Sequence, residues 1–167
     1  MLVGEQENQG AFQLYEVTLP PHRPSPPLHY HLAFLETFTV VQGRLDMYIG
    51  KERRHISLKP EESLTATIGQ LHTFANDSDK PTTMRVETRP AGGVVRAFEI
   101  AYGVANTGGA ARDGLPKNPL VRLRFIEISQ GFLPVVPLYF QKTVFSFAKM
   151  LSKWTGVEKT LDKYILT

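Results

Sequence analysis

The chain has 167 residues, of which 42% are hydrophobic and 21% are charged, and its formal net charge is +3. This composition is typical of a globular protein with one sizeable core and argues against a disordered or fibrous chain. The sequence contains no cysteine, which excludes disulfides, thiolate metal sites and cysteine nucleophiles, so nitrogen and oxygen atoms must hold any metal.

Charge and hydropathy also argue against several partners and locations. Residues 91–167 carry ten Lys/Arg against five Asp/Glu, but these cations are scattered, so we expect no nucleic-acid binding. The first residues lack a basic segment followed by an apolar run, which predicts no secretory signal and a cytoplasmic location. The most apolar segment, residues 131–151, is interrupted by prolines and lysines, so we predict no transmembrane helix.

The first half of the chain has the pattern of short strands separated by turns. Proline-rich residues 20–27 block regular structure after the first strand, because each proline removes a hydrogen-bond donor and fixes its own φ. Short strands at such regular intervals predict an antiparallel sandwich or barrel. The predicted strands are residues 12–19, 35–41, 44–49, 53–58, 64–67, 71–75 and 82–88.

After residue 92 the hydrophobic period becomes helical. Apolar residues at helical spacing predict a helix over residues 94–105, and Asn118 followed by Pro119 is typical of an N-cap and first helical position. A longer helix is predicted after Pro137, ending before Gly156. We therefore predict a β domain over residues 1–92 and a helical C-terminal extension over residues 93–167, packed on the barrel or on a dimer partner.

The longer helix carries one apolar stripe. We predict that this stripe packs on the sheet or on a partner subunit, rather than lying on a lipid surface, because the helix is of modest length and has few basic residues. The residues of the stripe are Phe140, Val144, Phe147, Ala148, Leu151 and Trp154.

Three polar side chains interrupt the apolar segment LHYHLAFLETFTVVQG, residues 28–43. His29 and His31 face the same way if they lie on one strand, which is a chelating arrangement. Glu36 follows His31 at an odd offset, so the chain must bend between residues 32 and 35 if the carboxylate is to join the histidines. His72, after a turn at Gly69, is a fourth candidate. Three imidazoles and one carboxylate leave a divalent cation with about one net positive charge and, in an octahedral site, two open positions.

Alternatives stay open for the residues around these four. A histidine pair of this spacing is also common on protein surfaces and in hydrogen-bonded positions. Phe38, Val40 and Phe74 share the strand faces of Glu36 and His72, so they either line a pocket or form the barrel core. The outward-facing candidates are His22, His55 and the pair Arg85 and Glu87, which share one face of the last strand; in a reversed register Arg85 could hold a carboxylate substrate.

The two histidine segments resemble the paired motifs of the cupin superfamily. Its first motif, two histidines one residue apart, then Glu and then Gly, matches His29, His31, Glu36 and Gly43. Its second motif, which ends in Gly, His and Asn, matches residues 69–76 through Gly69, His72 and Asn76. The chain departs from these motifs at three turn positions, which are occupied by Arg23, Glu61 and Thr67.

This resemblance covers residues 20–90 and implies a mainly β fold, a double-stranded β-helix or jelly-roll barrel. The predicted C-terminal α-helices extend beyond this barrel. It also implies a divalent metal ion (Fe, Mn, Ni or Zn) inside the barrel, bound by His29, His31, Glu36 and His72. Cupins include dioxygenases, isomerases and decarboxylases as well as members without known catalysis. The resemblance does not identify a reaction.

Three functions follow from these observations. The first is a metal-dependent enzyme, an oxygenase or isomerase, that acts on a small organic molecule. The second is a non-catalytic barrel that binds or senses a small molecule, since the sequence indicates no catalytic residue beyond the ligands. The third is a structural dimer whose C-terminal helices mediate assembly or contact a membrane surface. We expect a homodimer, because exposed strand edges need covering.

Overall fold

A computed structural model describes residues 1–23, 25–111 and 115–164 of the chain. The chain divides into two compact units, Met1–Gly92 and Gly93–Thr167. The first unit, called here the β unit, contains all the described strands, and the second, called the helical unit, contains four α-helices.

Seven antiparallel strands form the β unit. One sheet has the strand order β1-β7-β2-β5 and the other has the order β4-β3-β6. Every strand begins and ends within one residue of its predicted position, so the predicted mainly β fold is confirmed. The strands are β1 (Gln13–Leu19), β2 (Leu35–Gln42), β3 (Leu45–Ile49), β4 (Arg54–Leu58), β5 (Ser63–Ala66), β6 (His72–Ala75) and β7 (Thr82–Arg89).

The core of the β unit lies between its two sheets. On β7 the side chains alternate, so that Met84 and Val86 are buried while Arg85 is exposed. The two sheets meet through aromatic rings, because Phe38 on β2 lies 5.6 Å from Phe74 on β6, measured between ring centroids. The other buried apolar residues of the central strands are Val40, Leu45, Met47 and Ile49.

Two turns of the motif segments take left-handed backbone conformations. Gly43 has a φ of 87°, and a Cβ atom there would lie 2.7 Å from the carbonyl oxygen of Pro81, so only glycine fits. Glu61 stands where the second motif begins with glycine and has a φ of 71°. The chain therefore keeps the turn at Glu61 although a side chain there makes that conformation less favourable.

The helical unit contains α1 (Val94–Asn106), α2 (Pro119–Ser129), α3 (Leu138–Trp154) and α4 (Val157–Asp162). The predicted N-cap is confirmed, because the Asn118 side chain accepts hydrogen bonds from the backbone N–H groups of Leu120 and Val121. An apolar cluster joins three of the helices and consists of Ile100, Val104, Val121 and Leu161. Among the described residues, none of the helices has the length and apolar character that a membrane span requires.

A buried ion cluster also joins the helices. The guanidinium of Arg124 on α2 is 3% exposed and donates two hydrogen bonds, of 3.1 and 2.9 Å, to the two carboxylate oxygens of Glu158 on α4. The same guanidinium contacts Glu127 one turn along α2. The buried guanidinium is thus paired with carboxylates of its own unit.

Helix α3 buries a different side from the predicted one. Its buried residues are Gln141, Phe145, Ala148 and Ser152. The side-chain amide of Gln141 donates to the carbonyl oxygens of Leu133 and Val136, at 2.9 and 2.7 Å, which turns that side of α3 inward. Much of the predicted stripe consequently faces outward, with Phe147 58% exposed and Trp154 82% exposed. Within the described residues the stripe is therefore only partly buried, through Ala148.

Candidate metal centre

Backbone pairing places His29 beside His72. The two residues form an antiparallel bridge, in which each N–H donates to the other's carbonyl oxygen, at 3.1 and 2.9 Å. His31, two residues further on, points to the same side, and its ring centroid lies 5.1 Å from that of His29. The histidine pair of the first motif and the single histidine of the second are thus adjacent in space.

A bend in the chain brings Glu36 to the histidines. The backbone bends at Leu32 and Ala33, between the histidine pair and the start of β2, where the odd offset of Glu36 required it. On β2, Glu36 alternates inward with Phe38 and is 5% exposed. The predicted bend is confirmed.

The four side chains converge on one point. The Oε2 atom of Glu36 lies 3.0 Å from Nε2 of His72 and 3.2 Å from Nε2 of His31. His29, His31, Glu36 and His72 each offer one ligand atom, and these atoms all lie within 4.8 Å of one another. This is the kind of grouping that could hold a metal ion.

Backbone carbonyl groups orient two of the imidazoles. The Nδ1 atom of His29 lies 2.8 Å from the carbonyl oxygen of Pro27, and Nδ1 of His72 lies 3.0 Å from that of Gln70. A carbonyl oxygen only accepts hydrogen bonds, so each Nδ1 must carry the proton. The Nε2 lone pair of each neutral ring is therefore directed into the cluster, as outer hydrogen bonds commonly arrange for a metal-binding histidine.

The contact between His72 and Glu36 requires positive charge. With its proton on Nδ1, a neutral His72 ring would present the Nε2 lone pair to a carboxylate oxygen 3.0 Å away, which is repulsive. Either a second proton on the ring or a cation bound between the two groups removes this repulsion. Three nitrogen donors and one oxygen donor suit a divalent transition metal, so the residues fit the ion that the sequence predicts.

Burial and the neighbouring rings set the charge states of the cluster. Burial raises the pKa of the Glu36 carboxyl, but hydrogen bonds from His31 and His72 outweigh this effect and lower the pKa to about 2. Burial, together with the neighbouring His72 and His31, lowers the pKa of His29 from 6.5 to about 4. Near neutral pH the site therefore offers an ionised carboxylate and a neutral His29 imidazole, which are the forms that bind metal.

Residues 15–87 match the family model described as Cupin domain. These residues form a cupin domain. The match includes all four residues of the cluster and all the strands except the ends of β1 and β7. Among curated proteins, none matches this chain.

Several solved structures resemble the chain. A predicted oxalate decarboxylase from Thermotoga maritima has 16% identity and a TM-score of 0.49, and the match covers 53% of this chain and 76% of the decarboxylase chain. A sugar phosphate isomerase of the cupin superfamily from Silicibacter pomeroyi has 26% identity and a TM-score of 0.42, covering 47% and 50%. The Cupin_2 domain of an XRE family transcriptional regulator from Enterobacter cloacae has 20% identity and a TM-score of 0.42, covering 48% and 83%.

Two residues of the cupin domain that sequence reasoning missed contact the cluster. Tyr15 on β1 is buried and hydrogen-bonded to Glu36. Burial raises the pKa of Tyr15 well above its usual value, and the Glu36 charge raises it further, so its hydroxyl stays protonated and donates to the carboxylate. Phe34 stacks on the His31 ring, with 4.4 Å between the ring centroids. Strand alternation from residue 13 put Tyr15 on an inner face, but nothing in the sequence indicated its partner.

The predicted pocket residues lie at different depths in the cupin domain. Phe38 is buried with its ring centroid 5.9 Å from that of His72, Val40 is fully buried, and Phe74 is only partly buried. Phe38 contacts the cluster through His72 and Phe74 packs on Phe38, and whether Phe38, Val40 and Phe74 line a pocket stays a prediction.

The other candidates lie outside the metal centre. His22 and His55 are exposed, as the sequence predicted. His55 contacts the buried carboxylate of Asp46, with 2.9 Å between Nε2 and Oδ1. Arg85 is exposed and contacts Glu16, so the register that would turn its guanidinium inward is wrong.

Proposed function

We propose that the cupin domain binds one divalent metal ion through His29, His31, Glu36 and His72, and that it uses this ion in an oxygenase-type reaction on a small organic molecule. The observation that carries the proposal is the convergence of three imidazoles and one carboxylate, with their ligand atoms within 4.8 Å of one another. When bound, the ion supplies Lewis-acid or redox chemistry. Iron, manganese, nickel and zinc all suit these donors.

The chain's own residues orient the ligands and keep water away from them. Tyr15 donates a hydrogen bond to Glu36, and Phe34 stacks on His31, so two of the four ligands are held by a neighbouring side chain. Phe38 and Phe74 present an apolar wall, which favours an aromatic or aliphatic substrate over a strongly polar one. His29 is the least buried of the four ligands, so the substrate is expected to enter on its side.

Oxygen uptake tests the enzymatic proposal. The protein is stripped of metal, loaded separately with iron and manganese, and supplied with a panel of phenolic and diketone compounds. We expect uptake that needs both metal and substrate and that is lost in Glu36→Gln. The matched control is His55→Ala, which removes an exposed histidine and should leave uptake unchanged. Iron-loaded protein that consumes no oxygen with any of these compounds contradicts the oxygenase proposal.

A second candidate function is a cupin that binds or senses a small molecule without turnover. It is favoured by the neighbours of the ligands, since Phe34 and Phe38 carry no titratable group and Tyr15 has a raised pKa and holds its proton. None of these three side chains can act as a general base near neutral pH. A ligand that raises the unfolding temperature without being consumed supports this candidate over the first.

The proposal also includes assembly and location. We expect a homodimer that pairs through strand edges, and β4 is a suitable strand because it lies at one end of its sheet. Light scattering of the purified protein measures the oligomeric state, and a monomer contradicts the expectation. A small-molecule ligand and a cytoplasmic location are further parts of the proposal.

A further inference from the structure

The outward side of α3 is aromatic. Its exposed residues include Tyr139, Phe140, Phe147, Met150 and Trp154, which we call the aromatic face. Their spacings of three, four and seven residues place them on one side of the helix, opposite the buried Phe145 and Ser152. A contiguous exposed patch of this kind on a folded chain indicates an interaction surface.

An apolar groove continues the aromatic face. The groove runs between α2 and α3 and has a volume of about 450 Å³. Its lining includes Leu120 and Leu123 from α2 and Val144, Phe147 and Leu151 from α3. Because Phe147 belongs to both the groove and the aromatic face, the two form one apolar surface.

A row of lysines flanks the aromatic face. Lys142, Lys149 and Lys153 are all exposed, and their spacings of seven and four residues place them along one side of α3. The sequence contains no Asp or Glu between Glu127 and Glu158. Helix α3 therefore combines an aromatic face with uncompensated positive charge.

In place of the packing predicted from the sequence, we propose that the aromatic face of α3 binds the surface of an anionic lipid membrane, with the helix lying parallel to that surface. Tryptophan, tyrosine and phenylalanine side chains partition into the boundary between headgroups and acyl chains, and lysines beside them reach the lipid phosphates. The groove between α2 and α3 would accept part of an acyl chain. This surface is separate from the metal centre and does not depend on the proposed function.

Charge favours an anionic surface over a second copy of the chain. Residues 91–167 have a net charge of +5, from ten Lys/Arg and five Asp/Glu, so two such segments repel each other. Three of the acidic side chains already pair with arginines of the same unit, since Glu127 and Glu158 contact Arg124, and Asp162 contacts Arg96 at 2.9 Å. The helical unit of a second copy thus offers little negative charge to the lysine row, whereas phosphatidylserine headgroups offer it directly.

Trp154 provides a direct test, because it is the only tryptophan of the chain and is 82% exposed. The fluorescence of the full-length protein is recorded with vesicles of phosphatidylcholine alone and with vesicles of phosphatidylcholine and phosphatidylserine in a two-to-one ratio. We expect the tryptophan emission to shift to shorter wavelength only with the anionic vesicles, and the shift to weaken as salt is added.

Two sets of variants separate charge from apolar contact. Replacing Lys142, Lys149 and Lys153 together by Gln should weaken vesicle partitioning on the order of a hundredfold. The matched control replaces three exposed lysines of the β unit, Lys51, Lys59 and Lys80, and should bind like the unaltered protein.

The second set removes apolar contact. The double variant Phe140→Ser with Phe147→Ser should lower partitioning by about tenfold or more. Its matched control is Tyr102→Ser, because Tyr102 is 60% exposed on α1 of the same unit. Circular dichroism verifies that each variant is folded.

Three results would overturn the proposal. Equal shifts with neutral and anionic vesicles would show that the lysines contribute nothing. A Trp154 emission that is already at short wavelength and protected from acrylamide before lipid is added would mean that another part of the chain covers the face. A change in oligomeric state caused by the Phe140 and Phe147 substitutions would mean that a second copy covers it.

Discussion

The two units of the chain bury polar groups in opposite ways. In the helical unit the buried guanidinium of Arg124 contacts the carboxylates of Glu127 and Glu158, so every contact in the cluster joins a donor to an acceptor. In the β unit the Glu36 carboxylate lies 3.0 Å from Nε2 of His72, and a neutral His72 ring with its proton on Nδ1 would present a lone pair to that carboxylate, so an acceptor would face an acceptor. The difference teaches that burial alone does not distinguish a structural cluster from a functional one. What distinguishes these two clusters is whether each contact within the cluster joins a hydrogen-bond donor to an acceptor.

The largest expected effect concerns the structural cluster. Arg124→Met removes the cation from two partly buried carboxylates, of which Glu158 keeps the hydrogen bond from Ser152, so the free energy of unfolding of the helical unit should fall by about 3 kcal/mol. Hydrogen exchange of the amides of α2 and α4 measures this loss in the helical unit separately from the stability of the β unit.

The matched control for Arg124→Met is an exposed ion pair of the same unit. Arg96→Ala breaks the contact with Asp162, in which both side chains are more than 40% exposed, and should cost less than about 1 kcal/mol. Equal losses in the two variants would contradict the structural role of the buried cluster.

The next effect concerns how the folding stability of the metal-free β unit depends on pH. His29 has a pKa of about 4 in the folded chain and 6.5 when unfolded, so the unfolded state binds the proton first on acidification. Stability should therefore fall between pH 6.5 and pH 4, by at most about 3 kcal/mol. Glu36, whose pKa is lowered from 4.5 to about 2, adds a further loss between those two values. Urea unfolding across this range measures both losses.

A variant separates the contribution of His29 to the pH dependence of stability from the contributions of other groups. In His29→Gln the loss of stability between pH 6.5 and pH 4 should become smaller, because the side chain no longer takes up a proton. The loss between pH 4.5 and pH 2 should remain, because Glu36 is still present. An unchanged urea profile in His29→Gln would mean that this imidazole is not held neutral by burial.

A smaller effect concerns the residue that orients Glu36. Tyr15→Phe removes the hydroxyl that donates to the carboxylate, and losing such a partner typically lowers metal affinity by about 10- to 100-fold. Calorimetric titration of the metal-free variant measures the change. Tyr48→Phe is the control, since its hydroxyl contacts Asp77 away from the metal centre. If both variants bind metal equally well, Tyr15 has no orienting role.

Local patterns in the sequence were sufficient to predict the strands and the four candidate ligands. Alternation located each strand, and motif spacing identified His29, His31, Glu36 and His72. The bend at Leu32 and Ala33 also followed from the sequence, because the odd offset of Glu36 allows no straight strand.

Contacts between distant segments could not be predicted in this way. Tyr15 reaches Glu36 because β7 lies between β1 and β2 and sets the register of both strands, which no local pattern encodes. The buried side of α3 depends on the partners of Gln141 and Ser152, namely the carbonyl groups of Leu133 and Val136 and the carboxylate of Glu158. Apolar residues alone indicated a neighbouring side of α3 that shares only Ala148 with the buried one, because Gln141 and Ser152 do not contribute to a hydrophobic pattern.

Metal titration of the stripped protein tests the central claim most directly. The unaltered chain should bind one divalent ion, with iron, manganese, nickel and zinc tried in turn, and Glu36→Ala and His72→Ala should each lose that binding while circular dichroism shows an intact β unit. The controls His22→Ala and His55→Ala, which remove exposed histidines, should bind one ion like the unaltered chain. Binding that persists in both Glu36→Ala and His72→Ala, or that is absent from the unaltered chain for all four metals, would contradict the claim that these side chains form a metal site.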